Sequence, residues 1–380
     1  MLRLEVFWMF TMSQTPLQRY QQDLQQSGFT KDAAQQQAVE GLESLYHRLI
    51  AADEKEQKST AKLLHFFGLS SKKPDRGLYF WGGVGRGKTY LMDIFYEGLP
   101  FDRKMRVHFH RFMRRVHEEL KTLEQQKNPL EIVAKRLADE ARIICFDEFF
   151  VSDITDAMIL AGLLEGLFKN GVSLVATSNI VPDGLYKDGL QRARFLPAIA
   201  LVNEHTEVIN VDGGTDYRLR LLEQAELYHY PLDEEADISL KASFESLVPD
   251  INEVVEDLVL DIGGRGIKTR CHAEDVAWFD FKALCDGPRS QNDYIDIAME
   301  YHEVLLSDIP ELTEAKEDQA RRFINLVDEF YDRSVKLIVS AEKPINELYS
   351  GTRLVFEFKR TQSRLLEMQS REYLARPHKP

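Results

Sequence analysis

A chain of 380 residues with 44% hydrophobic content can bury a proper core and hold two or three domains, or one large one. Its net charge of −14 disfavours nonspecific nucleic-acid binding by the whole surface, and no apolar run approaches the roughly 20 residues needed to span a bilayer. Three cysteines without a CxxC spacing argue against a disulfide framework or a zinc site and suit a reducing cytoplasm.

In chain order, residues 1–12 (MLRLEVFWMFTM) are apolar but short, contain Glu5 and lack a small-residue cleavage site, so they do not read as a secretory signal. They read as an extension outside the fold, from an upstream start or a disordered segment, with a short membrane-surface tether as the alternative. Residues 13–75 form a first region. Leu17, Tyr20 and Leu24 are helically spaced, Gly28 breaks the pattern, and Ala38, Leu42, Leu45, Tyr46 and Leu49 make a second stripe. Ala51 to Asp75 reads as a linker with one apolar patch, Leu63 to Leu69.

Residues 76–215 form a second region, a parallel sheet covered by helices. It starts with an apolar strand, Leu78 to Trp81. Gly82, Gly83, Val84, Gly85, Arg86, Gly87, Lys88 and Thr89 follow and match the phosphate-loop pattern G-x-x-x-x-G-K-[ST]. Glycines let backbone N–H groups turn around phosphate oxygens, and the helix start behind them adds a partial positive charge. Lys88 suits the β- and γ-phosphates of ATP, and the Thr89 hydroxyl suits Mg²⁺. The glycine spacing does not suit a dinucleotide fold.

Arg106 to Phe112 then alternates like a strand, and Met113 to Leu123 reads as a helix stopped at Asn128-Pro129. Leu130 to Leu137 is a further helix. Arg142 to Phe150 is a buried strand that ends in acids. Asp147 suits the Mg²⁺ shell, and Glu148 suits a general base for the attacking water. One strand–helix unit lies between the two motifs, which with adjacent Asp and Glu points to P-loop proteins with an added central strand. The guanine-reading N-K-x-D of small GTPases is missing. Ala157 to Phe168 is helical, and Val172 to Ala176 is a strand that delivers Asn179, placed to touch the γ-phosphate or the water. Leu185 to Arg192 reads as a helix and Glu207 to Asp212 as a strand. Within Gln191 to Pro197, Arg194, or less well Arg192, suits an arginine finger reaching a neighbouring subunit.

Residues 216–380 form a third, α+β region. Leu258 to Phe281 is β-rich with a hairpin at Gly263-Gly264-Arg265-Gly266. Tyr294 to Tyr301 is helical, Val304 to Leu306 a short strand, and Gln319 to Tyr331 a helix. Val335 to Val339 and Leu354 to Phe358 read as strands, and Thr361 to Leu374 as a terminal helix. Leu167-Phe168, Val172 to Val175 and Leu185-Tyr186 echo Phe330-Tyr331, Val335 to Ile338 and Leu348-Tyr349 without gaps. An internal repeat and two αβ units of shared composition explain this equally well. Glu342 stands where the first copy has Asn179, so the chemistry is not repeated.

Three further groups have two readings each. His108, His110 and His117 suit a metal, since His108 and His110 share a strand face, against an ordinary packed or solvated role, which the lack of a fixed carboxylate beside them favours. Arg103, Lys104, Arg106, Arg111, Arg114 and Arg115 make a basic patch for an acidic partner or a nucleic-acid backbone, against a solvated face paired with Glu118 and Glu119. Among Arg321, Arg322, Arg360 and Arg364, one suits a second nucleotide sensor.

The strings GLYFWGGVGRGKTYLMD, VHFHRFM, CFDEFFVSDITDAM, LVATSN, LQRARFLPAI, RSQNDYI, QARRFINLVDEFYD and FEFKRTQSRLLEMQSREYL resemble the AFG1-like group of AAA+ ATPases. The resemblance runs from about Gln14 to Lys379. It implies a Mg²⁺-dependent ATPase acting in bacterial cell division on FtsZ, the tubulin-like ring protein, or on other division-ring proteins. It carries over Lys88 and Thr89 as phosphate-loop groups, Asp147 and Glu148 as the hydrolysis pair, Asn179 as sensor and Arg194 as a looser finger. It also implies a cytoplasmic protein recruited to the division site, a homo-oligomer with ATP sites at subunit interfaces, and peripheral inner-membrane association through partners. Mitochondrial relatives imply protein quality control as an alternative, and the basic patch motivates a nucleic-acid-stimulated motor or loader. The group departs from typical AAA+ proteins in its C-terminal part.

Overall fold

The computed structural model describes residues 14–25, 32–57, 73–83, 86–123, 125–212, 217–248, 254–273 and 275–379. The chain divides into two compact units, Met1–Thr215 and Asp216–Pro380. The apolar patch Leu63 to Leu69, the break at Gly28 and residues 1–12 lie outside the described residues. Among the described residues no helix is long and apolar enough to cross a membrane.

The first unit is built on five parallel strands: β1 (Gly77–Trp81), β2 (Lys104–His108), β3 (Ile143–Asp147), β4 (Ser173–Ser178) and β5 (Thr206–Asn210). Their spatial order is β2-β3-β4-β1-β5. The later strand β4 thus lies between the phosphate-loop strand and the acid strand, as the spacing of the motifs led us to expect.

Side-chain alternation explains why both faces are covered. Leu78, Phe80, Ile143, Cys145 and Val175 face one way and pack on α1 (Pro16–Asp23), α2 (Ala33–Gln57) and α3 (Lys88–Gly98). Tyr79, Ile144, Phe146, Leu174 and Ala176 face the other way. They meet α4 (Phe109–Thr122), α5 (Pro129–Glu140), α6 (Ile154–Lys169) and α7 (Leu196–His205). Each fully buried Leu or Phe contributes about 1.5–3 kcal/mol relative to exposure, so the two apolar layers dominate the stability of this unit. At Gly77 a Cβ would lie 1.7 Å from the Leu174 carbonyl oxygen, so only glycine allows β1 this close to β4.

The second unit has a mixed sheet. Its helices are α8 (Tyr217–Gln224), α9 (Glu234–Leu247), α10 (Phe281–Cys285), α11 (Gln291–Glu300), α12 (Glu317–Asp332), α13 (Val355–Met368) and α14 (Arg371–Leu374). Its strands are β6 (Tyr228–His229), β7 (Val255–Glu256), β8 (Val259–Ile262), β9 (Arg265–Lys268), β10 (Cys271–Ala273), β11 (Val276–Asp280), β12 (Glu303–Ile309) and β13 (Lys336–Ala341). The six-stranded order is β6-β13-β12-β11-β10-β7. Neighbours from β6 to β11 are parallel, and β10 and β7 add antiparallel partners. β8 and β9 form a separate hairpin whose turn residues Gly263 and Gly264 have φ of 57° and 78°, a conformation that needs glycine.

Several expected elements differ. The strand read over Arg106 to Phe112 ends at His108, and α4 starts at Phe109. The alternating stretch was ambiguous because Phe109, Phe112, Met113 and Val116 also fit a helical face, and these are the buried residues of α4. No helix forms over Leu185 to Gln191. Short 3₁₀ turns at Pro182–Gly184 and Arg192–Arg194 replace it, with Gln191 at φ 58°. Leu354 to Phe358 is not a strand: α13 starts at Val355 and buries Phe358, Thr361, Leu365 and Met368 at helical spacing. α2 continues to Gln57, into the stretch read as a linker.

Candidate functional site

The carboxyl ends of β1, β4 and β3 are neighbours, and the three sequence motifs follow them. Open α/β sheets bind ligands at this edge. After Trp81 the chain makes the phosphate-pattern loop, of which Val84 and Gly85 lie outside the described residues. Gly87, at φ 76°, turns the loop into α3, whose first residues are Lys88 and Thr89. A Cβ at Gly87 would also meet the Gln35 side-chain nitrogen at 2.7 Å. Gln35, almost fully buried at the start of α2, donates its Nε2 to the Arg86 carbonyl at 3.0 Å. Asp32 fixes that helix start by accepting from the Ala34 and Gln35 N–H groups at 2.7 and 3.2 Å. Arg86 pairs with Asp212, just past β5, at 2.9 Å. The loop is thus tied to α2 on one side and to the segment after β5 on the other.

Lys88 Nζ donates to the carbonyls of Gly82 and Gly83 at 2.8 and 2.6 Å and to Asn179 Oδ1 at 2.9 Å. The hydrogen bond to Asn179 brings the end of β4 to the phosphate-type lysine. Bonds from an ammonium to a charged phosphate oxygen are roughly twice as strong as those to neutral oxygens, which favours exchange of these partners for phosphate.

β3 ends in Asp147, which is 5% exposed. Arg106 on β2 donates its Nε to Asp147 Oδ2 at 2.7 Å and is also bonded to Asp93 of α3. Glu148 has φ 53°, a left-handed backbone that costs a non-glycine residue on the order of 1–3 kcal/mol. The hydroxyl of Thr177 on β4 accepts the Glu148 N–H at 3.1 Å, and the Thr177 carbonyl accepts from Phe149 N–H at 2.7 Å. This strained bend lies directly after the buried carboxylate and beside Asn179. The donor types are those of a hard cation: a carboxylate at Asp147 and a hydroxyl at Thr89 fit Mg²⁺.

Arg106 was legible only as part of the basic patch. Its place between Asp93 and Asp147 follows from strand register, where Arg106 lies opposite Cys145. The rest of the patch is largely paired within the first unit. Arg103 meets Glu56, Lys104 donates to the Tyr96 and Leu99 carbonyls, and Arg115 meets Glu119 and Glu140. Gln35, Asp93, Thr177 and Asp212 were missed, since nothing in their spacing links them to the motifs.

Arg194 lies on the 3₁₀ turn before α7, exposed, and makes no side-chain hydrogen bond or ion pair with a described residue. Arg192 donates to the Asp183 carbonyl at 2.6 Å. The three histidines do not come together as a ligand set among the described residues. His108 closes β2 and His110 lies in the first turn of α4, so they do not share a strand face. Burial first, and then the neighbouring His108, push His110 down to about 3, which keeps it neutral. A carboxylate does stand beside His117, contrary to expectation: Asp156 on α6, at 2.6 Å. Of the four arginines considered as a sensor, Arg360 and Arg364 are both paired with Asp328, and Arg322 donates to the Cys285 carbonyl.

Comparison with known proteins adds four findings. The family model of the AFG1-like ATPases matches residues 14–377. Cell division protein ZapE of Escherichia coli (strain K12) is 50% identical over 372 residues, covering 96% of this chain and 99% of that protein. Lactation elevated protein 1 homolog B of Danio rerio is 37% identical over 348 residues, covering 80% of this chain and 69% of that protein. Among solved structures, AMPPCP-bound DnaA from Aquifex aeolicus is similar at 14% identity, covering 52% of each chain with a TM-score of 0.35.

Proposed function

Because the chain belongs to the AFG1-like ATPase family, we propose that it hydrolyses ATP at the edge formed by β1, β4 and β3 and uses the cycle to remodel a protein partner in cell division. The observation that carries this reading is the convergence of Lys88, Asn179 and the Asp147-Glu148 bend on three adjacent strand ends. In this reading the loop Gly82 to Thr89 holds the phosphates, and Lys88 exchanges its carbonyl partners for β- and γ-phosphate oxygens. Thr89 and Asp147 hold Mg²⁺, which when bound offsets the phosphate charge. Glu148 orients and deprotonates the attacking water, and Asn179 fixes the γ-phosphate or the water. Arg106 holds Asp147 in place. Arg194, exposed, is the finger offered to a neighbouring copy.

The division role rests on the 50% identical division protein that matches this chain along nearly its whole length. FtsZ polymers at the division ring are the proposed partner, as the family resemblance implies. The test mixes purified protein with polymerising FtsZ and either ATP or a non-hydrolysable analogue, then follows pelleting and filament shape. The expected result is a change in FtsZ polymer that needs hydrolysable ATP and is lost in Glu148→Gln. Identical pelleting under every nucleotide condition would remove the partner and leave the ATPase.

A further inference from the structure

The two units share more than a class. Displacing the chain by 163 residues carries α6 and β4 (Ile154–Lys169, Ser173–Ser178) onto α12 and β13 (Glu317–Asp332, Lys336–Ala341) without a gap. The same displacement carries the contacting ring pair Tyr186–Phe195 onto Tyr349–Phe358. The spatial run β2-β3-β4-β1 has its counterpart in β11-β12-β13-β6.

Strand register extends the match to single bonds. Tyr79 OH donates to the Ile180 carbonyl at 2.8 Å, and Tyr228 OH donates to that of Lys343 at 2.8 Å. Arg106 donates to Asp147 at 2.7 Å, and at the matched positions Trp278 Nε1 donates to Ser307 Oγ at 2.7 Å. Glu148 has φ 53° with its N–H on the Thr177 hydroxyl at 3.1 Å. Asp308 has φ 64° with its N–H on the Ser340 hydroxyl at 3.1 Å. Shared composition does not produce the same bend, held by the same bond, at matched strand ends.

The groups that would bind a nucleotide have been replaced. Between β6 and α9 stand Tyr230 to Asp233 in place of the glycine loop and lysine. The N-terminus of α9 is capped by the Asp233 carboxylate, which accepts from the Glu235 and Ala236 N–H groups at 3.1 Å each. That carboxylate takes the donors a phosphate would take. Ser307 replaces Asp147. The Arg270 guanidinium lies between the first turn of α9 and the ends of β11 and β12, bonded to Asp237 at 2.7 Å, Asp308 at 2.6 Å and Asp280. It stacks on the Trp278 ring. A fixed organic cation thus stands where the first unit offers its cation donors.

We infer that residues 216–380 are a second copy of the ATPase core whose nucleotide site is filled by its own side chains, so the chain carries one nucleotide. The single-nucleotide count rests on the proposed ATPase reading of the first unit. Binding of a fluorescent ATP analogue with Mg²⁺ to the full chain should saturate at one per chain and vanish in Lys88→Ala. Saturation at two, or one retained in Lys88→Ala, would overturn the inference, whereas no binding to wild type would overturn the phosphate-loop reading instead. The filled site is tested separately by thermal unfolding. Arg270→Ala should lower the midpoint by roughly 5–10 °C, and neutralising the facing acids as well (Asp237→Asn, Asp308→Asn) should recover much of it. A drop without recovery, or no drop, would overturn the filled site whatever the nucleotide count.

Discussion

Arg106 joins two carboxylates from different elements, Asp93 of α3 and Asp147 of β3. It sits among five other basic residues in the chain, yet its guanidinium lies between Asp93 and Asp147 with only 17% of its side chain exposed. Removing it takes the guanidinium away from two largely buried carboxylates. Arg106→Ala should therefore cost about 3 kcal/mol in urea unfolding, and it should weaken Mg²⁺-dependent turnover because Asp147 loses its anchor. Stability within about 0.5 kcal/mol of wild type would show the triad to be a surface network. Lys88, Asp147, Glu148 and Asn179 were legible because each sits at a fixed offset from a strand or glycine pattern. Arg106, Gln35 and Thr177 were not, because their contacts cross strands or helices and depend on register.

At the scale of elements, the phosphate loop is held from outside. Gly87 satisfies two constraints, a left-handed φ and the close Gln35 amide. Gly87→Ala should weaken nucleotide affinity roughly tenfold, from about 1–2 kcal/mol of backbone strain. Adding Gln35→Ala should not restore it, since the strain at φ 76° remains; full recovery in an equilibrium binding assay would mean that only the side-chain contact matters. The start of α9 carries a pH signature. The hydrogen bond that His229 donates to Glu226, and after it the one to Asp233, raise its pKa above the ordinary value near 6.5. A raised histidine stabilises the fold fully below its unfolded pKa and ceases to do so as pH climbs through the raised value. The stability gap between wild type and His229→Gln should therefore be widest near pH 6 and shrink by pH 9. A gap that widens with pH would contradict the pairing. Periodicity found α12 but read the start of α13 as a strand, because Leu354 to Phe358 is apolar and too short to tell 2 from 3.6.

For the whole molecule, the weak echo noted in the sequence becomes a duplicated core once strand register is known. Its single substitutions hid it: the acid became serine, the loop shortened, and two antiparallel strands and a hairpin were inserted before β11. The pairing of the basic patch bears on the nucleic-acid alternative. With Arg103, Arg106 and Arg115 engaged by carboxylates and a net charge of −14, added polynucleotide should leave ATP turnover flat across salt. A steep salt-dependent stimulation would favour the loader reading. In the proposed cycle Glu148 drives hydrolysis of a nucleotide held by the first unit. Single-turnover ATP hydrolysis by Glu148→Gln, on protein shown to bind ATP as wild type does, tests it most directly. The expected rate is lower by about 10²–10⁴-fold with binding intact; an unchanged rate would contradict the role of Glu148.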